Sequence, residues 1–321
     1  MAEKHTLKGI WEVLKNSFHG FSENKVPKLS GSLAYYTLFS MAPLLVVTIS
    51  LCGIFFGKEA IEGKIYGQLE GFMGRDTALQ LQQIIKNAAI HGQDKIAAVI
   101  STATLLVGAT TVFAEIQDSI NGIWGLKPKP KKGWVKLIKD RFLSFSVIVS
   151  LGFILLVSLA MSALIEGFSE KILAAYPEVT VIAFFVFNHT FTFVVSVLVF
   201  GVIFKVLPDA KIKWKDVMAG SIITALLFML GRFAISYYIT KSNVGSIYGT
   251  AGSLVVVLVW TYYSSIILYY GAEFTKAYAV KYGSKIYPSE FAVTMKLVEI
   301  ETGHASVQDV ENKELKVVEN K

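Results

Sequence analysis

One arginine interrupts the stretch Val217–Ile239, which is otherwise without a charge. Two strongly hydrogen-bonding side chains, Asn188 and His189, sit inside the uncharged run Val179–Phe204. A charge at the centre of an apolar span costs roughly 2.5–3.5 kcal/mol on insertion scales, so such a residue is read first as functional. The guanidinium fork of Arg232 matches a carboxylate or phosphate, which makes anion binding the chemistry to expect. Arg232 lies seven residues before Ile239, about 10 Å from that end, and Asn188 and His189 lie nine to ten residues after Val179, about 14 Å below the same face. Ser101, Thr102 and Thr104 in the run 96–114 and Ser253 in the run 247–272 fall in the same outer half. The expected ligand-binding set is therefore Arg232, Asn188, His189, Ser101, Thr104 and Ser253, around a polar pocket that opens outward. No acid in sequence lies at the depth of Arg232. Its position equally permits the arginine to snorkel to the interface, and Asn188 with His189 equally fits a plain interhelical hydrogen bond rather than a proton relay. Asn188-His189-Thr190 matches the glycosylation pattern, which an embedded position makes meaningless.

A second polar group gathers at the other end of the apolar runs. Glu115, Gln117, Asp118 and Asn121 follow the run 96–114, Glu273 closes the run 247–272, and Tyr35 and Tyr36 open the first run. Glu115, Asp118, Asn121, Arg141, Lys205 and Glu273 are expected to form an inner polar seal, with Glu115 or Glu273 paired to Lys205 or Arg141. Pro43 near the middle of the first run frees a carbonyl and should kink the helix. The stretch Ile247-Tyr248-Gly249-Thr250-Ala251-Gly252 permits close helix contact. Other chemistries are not expected. One cysteine, Cys52, rules out an intramolecular disulfide or a cysteine zinc cluster, and the five histidines show no metal-ligand spacing. Paired intramembrane carboxylates, a nucleophile elbow, a phosphate loop and an HExxH pair are all missing, so no enzyme, metal or cofactor is expected.

The elements that must hold these residues follow from composition. The 321 residues are 53% hydrophobic and only 17% charged, with mean hydropathy +0.53. Gly31–Gly57, Phe142–Ile165 and Val179–Phe204 contain no Asp, Glu, Lys or Arg, and each exceeds the roughly 20 residues needed to cross a bilayer. With 96–114, 217–239 and 247–272 they make six spans (31–57, 142–165 and 179–204 being the others), each a helix because lipid offers backbone polar groups no other partner. Lys and Arg in alternate connecting segments total 23 on one side and 7 on the other. The positive-inside rule then makes both termini cytoplasmic. The basic stretch from Lys127 to Arg141 reads as orientation plus contact with anionic lipid headgroups. Nucleic acid is not expected, since no RNA-binding motif accompanies the charge. The basic start lacks the short apolar core of a cleaved signal.

Outside the spans, Leu7, Ile10, Trp11, Leu14, Phe18 and Phe21 recur at helical spacing while Lys8, Glu12, Lys15 and His19 face away. Residues 1–30 thus hold an amphipathic helix that either lies in the membrane plane or packs on the cytoplasmic ends of the spans. The loop 58–95 shows two amphipathic pieces parted at Gly74, with Asp76 or Thr77 as a cap for the second, and reads as an outer helical hairpin. Residues 283–321 read as a cytoplasmic tail, disordered from Thr302 onward. The expected fold is an all-α integral membrane protein, with a six-transmembrane-helix domain at 31–282.

Several segments in order resemble the YihY/BrkB family of bacterial inner-membrane proteins. They are the run from Ser32 through Tyr35-Tyr36 to Pro43-Leu-Leu, Asn121-Gly-Ile-Trp124-Gly, Lys205-Val-Leu-Pro208-Asp-Ala-Lys-Ile-Lys-Trp214-Lys-Asp216, and Gly220 with Arg232-Phe233. Tyr248-Gly249, Gly252, Trp260-Thr-Tyr262 and Gly271-Ala272-Glu273 continue the pattern over residues 10–280. Position 205 is Lys where the family has Arg as often. The resemblance implies six transmembrane helices in a bacterial plasma membrane. It carries over no catalytic residue. Members have borne a ribonuclease label, for which this chain supplies no acid cluster, and others are associated with serum resistance or export of envelope lipid. Three functions follow in order of expectation: a transporter or flippase of an anionic amphiphile, a non-transporting envelope scaffold that binds lipids or partners, and last a membrane-bound nuclease.

Overall fold

A threonine opens the first helix. Thr6 is extended (φ −107°, ψ 149°) and its hydroxyl accepts from the Gly9 N–H at 3.2 Å, which satisfies one of the donors that a helix start leaves free. In the computed structural model, residues 6–56, 95–129, 146–154, 177–242, 252–283, 285–290 and 292–295 are described, with isolated positions at 59, 62–63, 65–67, 78–79, 82, 142–143 and 157. The helices are α1 (Leu7–Glu23), α2 (Val26–Phe56), α3 (Lys95–Ile123), α4 (Pro177–Val206), α5 (Trp214–Ser242) and α6 (Gly252–Lys281), and residues 146–154 are also helical. Asn24 and Lys25, the latter at φ 52°, turn the chain from α1 into α2. Pro27 then falls in the first turn of α2, where a missing N–H costs nothing.

Among the described residues, three stretches are long and apolar enough to cross a membrane: His189–Val206 in α4, Trp214–Ile235 in α5 and Leu254–Lys281 in α6. Helix α2 makes a fourth if its arms, Val26–Met41 and Pro43–Ile49, which meet at 54°, count as one span. The bend falls at Pro43, whose ring packs on Gly108 of α3; a Cβ there would lie 2.9 Å from the ring. The rest of the six-span expectation falls on 142–165 and 96–114, whose side chains are described only in part. The outer hairpin at 58–95, the Gly-rich stretch 247–251, Arg141 and residues 296–321 lie outside the described residues.

Hydroxyls within these helices are satisfied without a partner helix. Thr48, Thr110, Ser196, Ser221, Thr224, Ser264, Ser265 and Thr275 each donate to the carbonyl four residues back. That is how a Ser or Thr is tolerated where lipid supplies no acceptor. Helix α6 is the hub, packed against α5, α2 and α1. The buried core gathers toward one end of the bundle, where Ile116, Ile120, Ile123 and Trp124 of α3 and its turn meet Phe204, Leu207, Val217, Tyr269 and Ala272. Toward the other end of α5, Ile222, Leu226, Leu230, Phe233 and Tyr237 form an exposed stripe at helical spacing.

One expectation is corrected here. The fold is mostly helical but not all-α: β1 (Leu126–Pro128) pairs antiparallel with β4 (Ala292–Thr294), and β2 (Ala210–Lys211) with β3 (Tyr287–Pro288). Chain beyond residue 283 is therefore folded back as far as Met295, whose N–H donates to the Gly125 carbonyl. Polar tail composition hid this, because ladders of two and three residues leave no alternation to read. Helix α1 docks on α6. Its buried side is Val13, Ser17 and Gly20, whereas Trp11 (68% exposed) and Phe18 (69%) face outward. The approach is close at Gly9 (against Tyr282) and at Gly20 (against Glu273), and the Phe21 ring meets Tyr270 edge-on at 6.3 Å.

Candidate functional site

The helices around Arg232 run antiparallel in a readable register. On the α6 side, Gly220 faces Thr275, Thr224 faces Gly271, and Gly231 faces the Tyr263 hydroxyl, each glycine leaving no room for a Cβ. On the α4 side, Gly201 faces Ser221 and Trp214, and the rings of Phe200 and Phe228 meet edge-on at 5.7 Å. Arg232 follows Phe228 by one turn on the same side of α5 and is half-buried. It therefore belongs to the α4–α5 seam, beside the exposed stripe rather than on it. Continuing the register sets it level with the stretch from His189 to Ser196, within about a turn of His189. His189 is half-buried there, just beyond the stacked rings of Phe187 and Phe191.

Other members of the expected pocket are placed differently. Tyr263 on α6 faces Gly231, the residue before Arg232, so Ser253, ten residues away along α6, sits about 15 Å from that level. Thr104 is exposed on α3. The side chains of Ser101, Asn188 and Ser253 lie outside the described residues, although all three positions are helical. Tyr263 is the residue that sequence reading missed. Its signal was available, since Gly231 precedes Arg232 and a glycine inside a span marks a close approach.

At the opposite end a polar knot is built with partners other than those expected. Asn121 and Asp209 are both buried and bonded reciprocally: the Asn121 amide donates to the Asp209 carboxylate at 3.0 Å, and the Asp209 N–H donates to the Asn121 carbonyl oxygen at 2.8 Å. Trp124 Nε1 donates to the Ala272 carbonyl at 3.1 Å, and Lys276 to the Ile123 carbonyl at 2.6 Å. Glu273 is buried and accepts from Asn24 at 2.6 Å. Glu273 thus bonds to Asn24 rather than to Lys205, and Arg141 lies outside the described residues. Lys205 instead donates to the Ile212 carbonyl and lies 5.8 Å from the Trp214 ring centroid. Glu115 is half-buried and Asp118 exposed on α3. Gly125 ends α3 at φ 69°, a left-handed turn that glycine adopts without strain.

Sequence reading missed Asp209, Asn24 and Trp124 as members of this knot. Asp209 was hidden by its loop position, and its partner is 88 residues away. Among the described residues no three of His, Cys, Asp and Glu come together as metal ligands.

Long apolar helices with exposed apolar stripes, internally satisfied hydroxyls and a polar knot at one basic end define a helical membrane protein that crosses the bilayer several times. The chain belongs to the virulence factor BrkB family, whose pattern matches residues 17–290. A UPF0761 membrane protein of Ralstonia nicotianae is 24% identical over 78% of this chain and 55% of its own length. One of Saccharophagus degradans is 25% identical over 82% of this chain and 59% of its own. One of Aeromonas salmonicida is 27% identical, covering 79% and 84%. The chain thus spans a little over half the length of the first two relatives. No solved structure matches it.

Proposed function

We propose that the chain is a plasma-membrane translocator of an anionic amphiphile, a lipid or an envelope precursor, with six spans, both termini cytoplasmic and no enzymatic step of its own. The observation that carries this reading is Arg232, half-buried on the α4 side of α5 and within about a turn of the level of His189. An ionisable residue inside a span is costly, and one facing the bundle interior is read first as part of a substrate path. The fork of the guanidinium would hold a phosphate or carboxylate through two hydrogen bonds. Membrane lipids are the partners, and the basic end of the bundle would meet anionic headgroups in the cytoplasmic leaflet.

Proteoliposomes carrying a fluorescent anionic phospholipid test it. Arg232→Ala should slow translocation about tenfold or more, the factor lost with one charge-assisted contact. Arg232→Lys should fall between, since the charge remains and the fork does not. A wild-type rate from Arg232→Ala removes the reading. A second reading, a scaffold that binds lipids or partners without moving them, is favoured by the concentration of the knot at the basic end. It predicts that neutralising Lys127 and Lys129 abolishes cellular function while Arg232→Ala leaves it intact.

A further inference from the structure

At the basic end, α1, α5 and α6 enclose a cavity of about 220 Å³ lined by apolar side chains, Val13, Ile222, Ile223 and Phe274 among them, and floored by Tyr278 and Tyr282. Two lining residues, Ile10 and Ile222, are also exposed, so the cavity opens between them. Its mouth is continuous with the stripe Ile222, Leu226, Leu230, Phe233 and Tyr237, the side of α5 that faces lipid. One turn before Ala219 on this same side of α5 stands the exposed Lys215. An apolar slot reached sideways from the bilayer, with a cation one turn from it, matches one class of occupant. We infer that the cavity holds an acyl chain of an anionic glycerophospholipid whose phosphate sits by Lys215.

The chain enters past Ile222, and the headgroup stays at the interface where Lys215 lies. Helix α1 supplies one wall, so a bound lipid also fastens α1 to α6. This site is separate from the Arg232 seam and stands without the translocation reading.

Photolabelling of the full chain in phosphatidylcholine liposomes tests it. The probe is phosphatidylglycerol with a diazirine near the end of one acyl chain. Adducts are expected on the peptides carrying Ile10–Val13 and Tyr278–Tyr282, displaced by unlabelled phosphatidylglycerol and not by more phosphatidylcholine. Lys215→Glu, at an exposed position, should cut those adducts about tenfold. Ala219→Phe should abolish them by filling the slot while labelling of Leu226–Tyr237 persists. Arg232→Ala should change none of this, so failure here and failure of translocation are distinguishable. Adducts confined to Leu226–Tyr237, displacement by phosphatidylcholine, or no effect of Lys215→Glu would each overturn the proposal. So would entry of the probe only after residues 296–321 are removed, which would make the chain's own tail the occupant.

Discussion

Buried polar side chains at the basic end meet specific partners, and Asn121 with Asp209 is the clearest case. Each satisfies the other, and Asp209 receives both a side-chain donor and an acceptor for its own N–H. Asn121→Ala would remove two hydrogen bonds from buried groups of Asp209, at about 1–3 kcal/mol. Thermal unfolding in detergent, followed by circular dichroism, should show a lower midpoint. Asn121→Asp should be worse at neutral pH, because it sets two carboxylates together, and should recover in acid as one of them takes a proton. An unchanged midpoint for both variants would mean the pair contributes nothing. Glu273 obeys the same rule: Asn24 and the missing side chain of Gly20 together make room for its carboxyl.

Between elements, close approach is decided by glycine. Helices α5 and α6 interlock through two five-residue units in reverse order, Gly220 to Thr224 and Gly271 to Thr275, each threonine lying over the opposite glycine. Both threonine hydroxyls donate to their own glycine's carbonyl, so the contact itself is pure packing. Gly271→Ala should destabilise by about 1–3 kcal/mol through overpacking, and Thr224→Ala in the same chain should return part of it, a coupling read from a double-mutant cycle. Simple additivity would refute the interlock. The α1–α6 contact adds a charge pair, Glu12 with Lys281. The neighbouring ammonium holds the Glu12 carboxyl below its ordinary range, chiefly through their hydrogen bond. A lowered acid pKa stabilises the docked helix above the ordinary glutamate value, about 4.3, and the gain is lost as pH falls through the lowered one. Protection factors of the α1 amides, corrected for the intrinsic slowing of exchange at low pH, should therefore fall in acid, and Lys281→Met should flatten that dependence.

For the whole molecule, the segment 285–295 ties two distant loops into one end of the bundle. It pairs β3 with β2 and β4 with β1, Ser289 N–H donates to the Asp209 carbonyl at 2.8 Å, and Lys129 donates to the Glu290 carbonyl at 2.8 Å. Truncation after Gly283 should lower the thermal midpoint and expose the Leu126–Lys129 turn to protease, with α2–α6 still inserted. If cleavage and midpoint match the full chain, the clasp is ornamental. The clasp also sets both described ends of the chain, α1 and the strand β4, at the same basic end of the bundle.

How much of this was legible beforehand depends on how far apart the cooperating residues lie. Uncharged runs declared membrane helices outright, because the cost of a charge in lipid is paid locally and leaves a local mark. Residues four apart on one helix were legible too, as at Pro43 and along α5. The identity of partners was not: Glu273 sits 249 residues from Asn24, and no period in either segment points to the other. The bulky apolar side chains of α1 mark a face that can meet lipid, whereas its contact with α6 runs over Val13, Ser17 and Gly20. The chain's own sequence settled that it lives in a membrane, and roughly where its costly polar groups lie along each helix. Only the tertiary structure decided that Arg232 stands at a seam and which atoms satisfy Glu273, because proximity between helices is a property of packing and has no signature along one strand of sequence.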